Sequence, residues 1–199
     1  VLVQSPKIEA LFKNLGCETE LVPSGVDLER FKPVFPATKP QLRREYGLDE
    51  GAFVVFHVGP VRRSRNLEVL AQFQSDGVGQ FVIAGSTTVL PDAQVVRTLR
   101  DARCTVWLQY FPQIERLFQL ADCYIFPVLD EAGCVQLPLT VLEAAACNLP
   151  IITTPFGGLP SFLPKGKGLH YATGEQEIRA ALKVCREGET VETRSLVVN

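Results

Sequence analysis

The sequence lacks several features that define common classes of protein. Its 199 residues contain no methionine, one tryptophan and two histidines. With His57 and His170 as the only imidazoles, a zinc site has few candidate ligands. No apolar run approaches the roughly 18 residues that a transmembrane helix needs. No Gly-x-Gly-x-x-Gly follows an apolar run, so a nicotinamide-binding Rossmann domain is not indicated.

An excess of charge of either sign is also missing. The 20 basic and 22 acidic residues give a formal net charge of -2, with an isoelectric point near 5.8. Such a chain creates no basic field that would recruit nucleic acid, so no nucleic-acid partner is expected. A content of 46% hydrophobic and 21% charged residues is typical of a globular protein that buries a core.

The cysteines form no Cys-x-x-Cys pair, and several fall inside apolar runs. This pattern is typical of buried free thiols in a reducing compartment, and it predicts a cytoplasmic location. The six are Cys17, Cys104, Cys123, Cys134, Cys147 and Cys185.

Short apolar runs alternate with helical patterns along the chain, which predicts an α/β fold with a doubly wound, parallel, Rossmann-like sheet. Ligand sites of such sheets lie at the carboxyl ends of the strands. The predicted strands are Val1–Gln4, Glu20–Pro23, Phe53–Val58, Gln80–Ala84, Thr105–Leu108, Cys123–Phe126, Ile151–Thr154 and Gly168–Tyr171. Helices are expected after Ser5 (with Ile8, Leu11, Phe12 and Leu15 as its apolar stripe), at Gln41–Tyr46, after Asn66, at Asp92–Ala102, Ile114–Ala121, Leu139–Cys147 and Glu175–Cys185, and towards Asn199.

A glycine and three arginines follow the strand Phe53–Val58, in the stretch Gly59-Pro60-Val61-Arg62-Arg63-Ser64-Arg65-Asn66. Gly59 allows close approach to a ligand, the next helix supplies backbone N–H groups, and arginine can bind phosphate with two hydrogen bonds. The loop is therefore a candidate diphosphate site, although a solvated arginine loop has the same pattern.

A second candidate region follows the strand Cys123–Phe126. An acidic pair, Asp130-Glu131, lies in the loop, and Pro138 is suited to a helix start. The N–H groups of Leu139 and Thr140 can bind an anion, and Glu143, one turn into the helix, can accept hydrogen bonds from a sugar. The alternative reading of Glu143 is a carboxylate that the helix dipole stabilises.

The segment E…PLTVLEAAACNLPIITTPFGGLP resembles the donor-binding signature of retaining glycosyltransferases of family 4, also called group 1. These enzymes have two Rossmann-like domains, the GT-B arrangement. The stretch from Ser24 to Pro33 resembles the family's Asn-Gly-Val-Asp…Phe-x-Pro turn, which faces the donor cleft. One position departs from the signature: Val135 stands where the family has its first glutamate. Glu131 is the nearest acidic candidate, and we expect Val135 to pack beside the loop.

The resemblance implies a role for each matched residue. Arg62 and Arg65, with Gly59 and the N–H groups of Leu139 and Thr140, would hold the diphosphate of a UDP- or GDP-sugar. Glu143 would bind the ribose and Glu131 the transferred sugar. Tyr110 or Phe111 could stack on the base, although an aromatic residue at a strand end is more often part of the core. Glu131, Arg62 and Arg65 are the expected catalytic residues, with no metal and no cofactor.

The resemblance also implies an organisation. Residues 1–199 would form a single nucleotide-sugar-binding domain, the C-terminal half of the enzyme, from which an N-terminal acceptor domain is absent. The fragment alone is then expected to be inactive. The acceptor would be a glycan or a lipid, and peripheral association of the full-length enzyme with the inner face of the membrane stays open. Two alternatives remain: a sugar-nucleotide 2-epimerase, and a catalytically silent binding or scaffold domain.

Overall fold

The computed structural model describes residues 1–130 and 134–198. Strands and helices alternate in this part of the chain, as the sequence predicts. The strands are β1 (Leu2–Val3), β2 (Glu20–Leu21), β3 (Val54–Gly59), β4 (Gln80–Gly85), β5 (Thr105–Trp107), β6 (Cys123–Phe126), β7 (Ile151–Thr153) and β8 (Leu169–Tyr171). The α-helices are α1 (Pro6–Asn14), α2 (Lys39–Glu45), α3 (Glu68–Ser75), α4 (Ala93–Asp101), α5 (Glu115–Leu120), α6 (Leu139–Ala146), α7 (Leu159–Phe162) and α8 (Glu175–Glu187).

Six of the described strands form one parallel sheet in the order β5-β4-β3-β6-β7-β8. The chain runs outward from β3 to β5 and then returns to the other side of β3 to form β6. The direction in which successive strands are added therefore reverses between β3 and β6, which is called the switch point of the sheet. Ligands of such sheets bind at the switch point, beyond the carboxyl ends of the strands. The predicted α/β, doubly wound parallel fold is confirmed.

Helices cover both faces of the sheet. Because both faces are buried, the strands carry apolar side chains on both sides. Val54 and Phe56 of β3 point into one core, which α5 and α6 cover. Val55 points into the other core, which α3, α4 and α8 cover. Both cores therefore contribute to holding the carboxyl ends of β3 and β6 in fixed positions.

Residues 1–22 contain a separate two-stranded sheet, in which β1 and β2 pair in parallel. Ser5 begins α1 as predicted, because its Oγ accepts a hydrogen bond from the N–H of Ile8 at 3.4 Å. None of the helix's residues is buried, and Leu11 and Leu15 are 54% and 69% exposed. Ile8 and Phe12 of the predicted apolar stripe are partly buried, so only part of the stripe faces outward.

Several predicted bounds shift by one or two residues, the short helix α7 was not predicted, and two further segments differ as follows. Helix α2 begins at Lys39 instead of Gln41, because Pro40 fits the first turn, where an N–H has no helical partner. The C-terminal segment forms a 3₁₀ helix, Thr193–Leu196, instead of an α-helix. The Arg194 guanidinium donates to the carbonyl oxygens of Phe31 and Leu28 at 2.9 and 3.1 Å, which ties this segment to the turn after β2.

All six cysteines are free, and four of them are buried, as the sequence predicts. Among the described residues, no helix has both the length and the apolar character needed to cross a membrane.

Candidate functional site

The two loops that sequence analysis selected lie side by side at the switch point of the sheet. One follows β3 and the other follows β6. The Asn66 side chain donates a hydrogen bond to the carbonyl oxygen of Pro127 at 3.2 Å, which joins the end of the first loop to the start of the second. Asn66 has a φ of 54°, a conformation that asparagine tolerates better than most residues. The structure therefore brings these two predicted regions together.

The loop after β3, residues 59–66, is called the arginine loop here, and its three guanidinium groups lie in different surroundings. Arg62 is exposed, and Arg63–Arg65 form a short 3₁₀ turn. Arg63 is exposed and lies 3.6 Å from Asp92. Arg65 is only 8% exposed, so it faces inward, beneath the loop. Because burying a guanidinium is costly, its placement is not that of a solvated loop residue.

His57 lies beneath Gly59, and sequence analysis did not assign it a role. A carbonyl oxygen can only accept, so Nδ1 carries the proton that bonds Ile125 O at 2.9 Å, and Nε2 is an acceptor. Nε2 is buried and has no hydrogen-bond partner among the described residues. Burial lowers the pKa of His57 to about 4, with Arg65 contributing, so the ring is neutral at neutral pH. Its only sequence signal was a polar residue within an apolar strand.

A cavity of about 380 Å³ opens at the carboxyl ends of β3, β4 and β5. It contains both aromatic residues that sequence analysis proposed for the base. Tyr110 is 75% exposed, whereas Phe111 is partly buried and packs against Trp107 and Tyr46, with ring centres 5.4 and 6.2 Å away. The lining residues are Arg30, Val58, Ala84, Gly85, Ser86, Thr87, Thr88, Gln109, Tyr110, Phe111 and Ile114.

Arg30 lines this cavity and was missed as an individual residue, although its segment was selected as facing the donor cleft. Its Nε donates to Glu115 at 2.9 Å and its Nη2 donates to Pro112 O at 3.2 Å. These partners lie more than 80 residues away in the chain, so no local sequence pattern predicts the position of Arg30.

Glu143 is half-buried on α6, within electrostatic range of Arg30. Burial raises its pKa to about 7, and the positive charge of Arg30 acts in the opposite direction. Carboxyl groups with a raised pKa are common at ligand-binding and catalytic sites.

The amino end of α6 has Pro138 as its cap residue, and no side chain caps it among the described residues. The Thr140 hydroxyl accepts a hydrogen bond from Tyr124 at 2.8 Å, and Leu139 is exposed. A helix start without a capping side chain has N–H groups available to an anion.

The glycine turn after β7 packs against the loop that leads into α6. Gly157 has a φ of 53°, and Gly158 donates a backbone hydrogen bond to Gln136 O at 2.7 Å. A Cβ on Gly157 would overlap the backbone oxygen of Gln136. The turn therefore needs glycine, both for its conformation and for this close approach.

Glu131, the expected sugar ligand, lies outside the described residues. Val135 is 55% exposed, so the expectation that it packs beside the loop is wrong.

A larger cavity, about 650 Å³, lies elsewhere, between the Pro23–Val26 segment, α7 and the C-terminal segment. Its lining contains neither the arginine loop nor Glu143. We therefore locate the candidate site by the strand ends and the charged groups, not by cavity size.

Comparison with known proteins shows which family the chain belongs to. The family model described as "Glycosyl transferases group 1" matches residues 52–186. The chain is 26% identical over 160 residues to D-inositol 3-phosphate glycosyltransferase of Pseudarthrobacter chlorophenolicus, covering 74% of this chain and 36% of that protein. It is 29% identical over 143 residues to sulfoquinovosyl transferase SQD2 of Arabidopsis thaliana, covering 71% of this chain and 27% of that protein.

Solved structures show the same fold at low identity. HepE of Anabaena, in complex with UDP, has a TM-score of 0.79 at 17% identity, with 99% of this chain and 57% of HepE covered. A glycosyltransferase of Rickettsia africae has a TM-score of 0.82 at 15% identity, with 100% and 58% covered. These neighbours are GT-B glycosyltransferases. The chain spans about a third of the length of the curated relatives above and over half of these solved chains. Because the family model covers more than half of its residues, the chain belongs to the group 1 glycosyltransferases.

Proposed function

We propose that this chain is the nucleotide-sugar-binding half of a retaining glycosyltransferase of family 4, with a UDP- or GDP-sugar as donor. The observation that carries the proposal is the cavity at the ends of β3, β4 and β5, which borders the switch point of the sheet. Its aromatic residues and hydroxyl groups suit a nucleoside, and the neighbouring arginine loop suits a diphosphate.

Each part of the donor has a matching group. The base would lie against Tyr110 or Phe111, and the ribose hydroxyls would donate to Glu143. The diphosphate would bind Arg62, Arg65, the Gly59 backbone and the first N–H groups of α6 at Leu139 and Thr140. When the bond to the sugar breaks, negative charge develops on the diphosphate, and fixed positive groups stabilise it there. In this proposal no metal takes part in that step.

UDP is the first nucleotide to test. HepE of Anabaena has been crystallised with UDP and with UDP-glucose, and it shares the fold of this chain. Its identity of 17–19% carries the fold alone, so GDP should be titrated in parallel.

Donor affinity should rise with pH through about 7. Ribose hydroxyls donate to the ionised form of Glu143, whose pKa burial raises to about 7, so binding competes with its proton. UDP-glucose should bind more tightly at pH 8 than at pH 6 and level off above, with proton release in calorimetry below pH 7. UDP-glucose is the suitable probe, because the terminal phosphate of UDP itself titrates near pH 6. Glu143→Gln is the matched control and should abolish the dependence; an affinity that falls with pH would contradict this role.

Glu131 and Glu143 should differ in their effects on the full-length enzyme. Glu131→Gln should lower turnover at least about fivefold and leave binding of the bare nucleotide nearly unchanged, since it would contact only the transferred sugar. Glu143→Gln should weaken both, because the ribose is common to donor and product. Equal effects of Glu131→Gln on turnover and on nucleotide affinity would contradict this division of roles.

The acceptor side of the cleft is proposed to come from a further α/β domain. The outward face of the β1–α1–β2 unit is apolar, with Leu2, Leu11 and Leu15 exposed, and it would pack against the rest of that domain's sheet. The full-length protein would transfer the sugar to a glycan or lipid, in the cytoplasm and at the membrane surface if it associates there. In a chain extended upstream, this face should be protected from hydrogen exchange; continued exposure would contradict the packing.

A further inference from the structure

A second cluster of reactive side chains lies away from the switch point, where α8 packs over the edge of the sheet. It consists of His170 in β8, Cys185 in α8 and Glu189 just after α8. The His170 Nε2 and Glu189 Oε1 atoms are 2.6 Å apart, and the Cys185 Sγ lies 3.4 Å from the same oxygen. All three potential ligand atoms lie within 4.8 Å of one another.

The backbone is shaped to bring Glu189 back over the cluster. Helix α8 ends at Gly188, whose φ of 87° reverses the chain direction. Glu189 then follows Cys185 by four residues, and the two side chains meet. The cluster is mostly buried: Cys185 is 7% exposed, and the His170 and Glu189 side chains keep a small exposed area.

The local charges favour a cation. A carboxylate and a thiol lie at the carboxyl end of a helix, where the dipole is negative and an acidic group is unfavourable.

One thiolate, one imidazole and one carboxylate are a ligand set that zinc accepts. With metal–ligand bonds of about 2.0–2.3 Å, ligand atoms on a tetrahedron lie about 3.3–3.6 Å apart. The Cys185–Glu189 separation already has this value, and the His170–Glu189 pair must open by less than about 1 Å. We propose that His170 Nε2, Cys185 Sγ and Glu189 Oε1 form a binding site for one Zn²⁺ ion, with the fourth position open to water on the exposed side.

Cys123 would support this site without binding the metal. Its Sγ is fully buried, lies 4.0 Å from Cys185 Sγ and donates a hydrogen bond to it. Such a bond to a metal-bound sulfur orients the ligand. The ion would fasten the edge strand β8 to α8, so its role would be structural, and nucleotide binding at the other site should not depend on it.

The test uses the whole chain, metal-free and kept reduced, titrated with Co²⁺ as a spectroscopic probe and then with Zn²⁺. We expect one equivalent of Co²⁺ to produce a thiolate-to-metal charge-transfer band with the d–d bands of a four-coordinate ion, and Zn²⁺ to displace it. Zn²⁺ should raise the melting temperature and leave UDP affinity unchanged, which separates this result from any failure of the proposed function. A titration without a charge-transfer band and without zinc stabilisation would overturn the site.

Single substitutions locate the ion. Cys185→Ser and His170→Gln should each weaken Zn²⁺ binding at least about a hundredfold, since even the loss of an outer partner costs about 10–100-fold. Cys123→Ser should weaken it less than either, and Cys17→Ser, a cysteine remote in the chain, should leave it unchanged. Glu189→Gln removes a ligand at a partly exposed position and decides the question if Cys185→Ser fails to fold. A charge-transfer band that persists in Cys185→Ser, or affinity unchanged in Glu189→Gln, would contradict the assignment.

Discussion

Replacing Arg65 or Arg62 with alanine should weaken UDP binding at least about tenfold in one or both variants. A hydrogen bond to a charged group contributes about 1.5–3 kcal/mol, which corresponds to roughly ten- to a hundredfold in affinity. Calorimetry should also show that added salt weakens binding less in the affected variant than in the parent chain, because fewer charged contacts remain.

The loop provides its own control. Arg63 lies in the same turn, is exposed and is close to Asp92, so Arg63→Ala should leave the affinity nearly unchanged. Because Arg65 is buried, Arg65→Lys should be measured beside Arg65→Ala; it keeps the charge but loses the paired donors, and an intermediate affinity is expected. Unchanged affinity in both Arg62→Ala and Arg65→Ala would move the diphosphate away from this loop.

Gly157→Ala should lower the free energy of unfolding by about 2–5 kcal/mol. Two costs combine: the left-handed conformation costs about 1–2 kcal/mol with a side chain present, and overpacking against a neighbour costs about 1–3 kcal/mol. The atom in the way is the Gln136 backbone oxygen, which cannot turn aside as a side chain could. Gln136 lies in the loop before α6, whose first N–H groups are proposed to bind the diphosphate. UDP affinity should therefore also fall in Gly157→Ala if this variant still folds.

Gly47→Ala separates the two costs. Gly47 has a φ of 69°, but a Cβ there would meet no atom within 4 Å. This variant should lose only about 1–2 kcal/mol, the conformational part. Equal losses in the two variants, measured by urea denaturation, would contradict the close packing of the glycine turn on Gln136.

The fold could be predicted because its signals are local. Most strands of the large sheet are short apolar runs, such as Val54–Gly59, and caps such as Ser5 and Asp92 mark where helices begin. The periodicity of α1 could not predict that part of its apolar face is exposed. An apolar stripe shows that a helix has an apolar face, but it does not show which other segment covers that face.

Part of the candidate site could be predicted from the sequence. The residues that were missed are positioned by contacts between segments that lie far apart in the chain. The predicted site residues follow strand ends or lie near helix starts, as do Gly59, the arginine loop and Glu143. In a parallel sheet the carboxyl ends of all strands lie at the same edge, so the topology alone brings such residues to that edge. Arg30 and the inward position of Arg65 depend on packing between distant segments, as does the cluster of His170 with Cys185 and Glu189.

Hydrogen exchange of this chain with and without UDP would show directly where the nucleotide binds. We expect slower exchange in the loop after β3, residues 59–66, at the start of α6 and in the strand-end residues around Tyr110, with no change near Cys185. Inorganic phosphate at the same concentration should protect these segments far less, because it lacks the nucleoside. No protection at these three places, or protection confined to another surface, would contradict a nucleotide site at the switch point of the sheet.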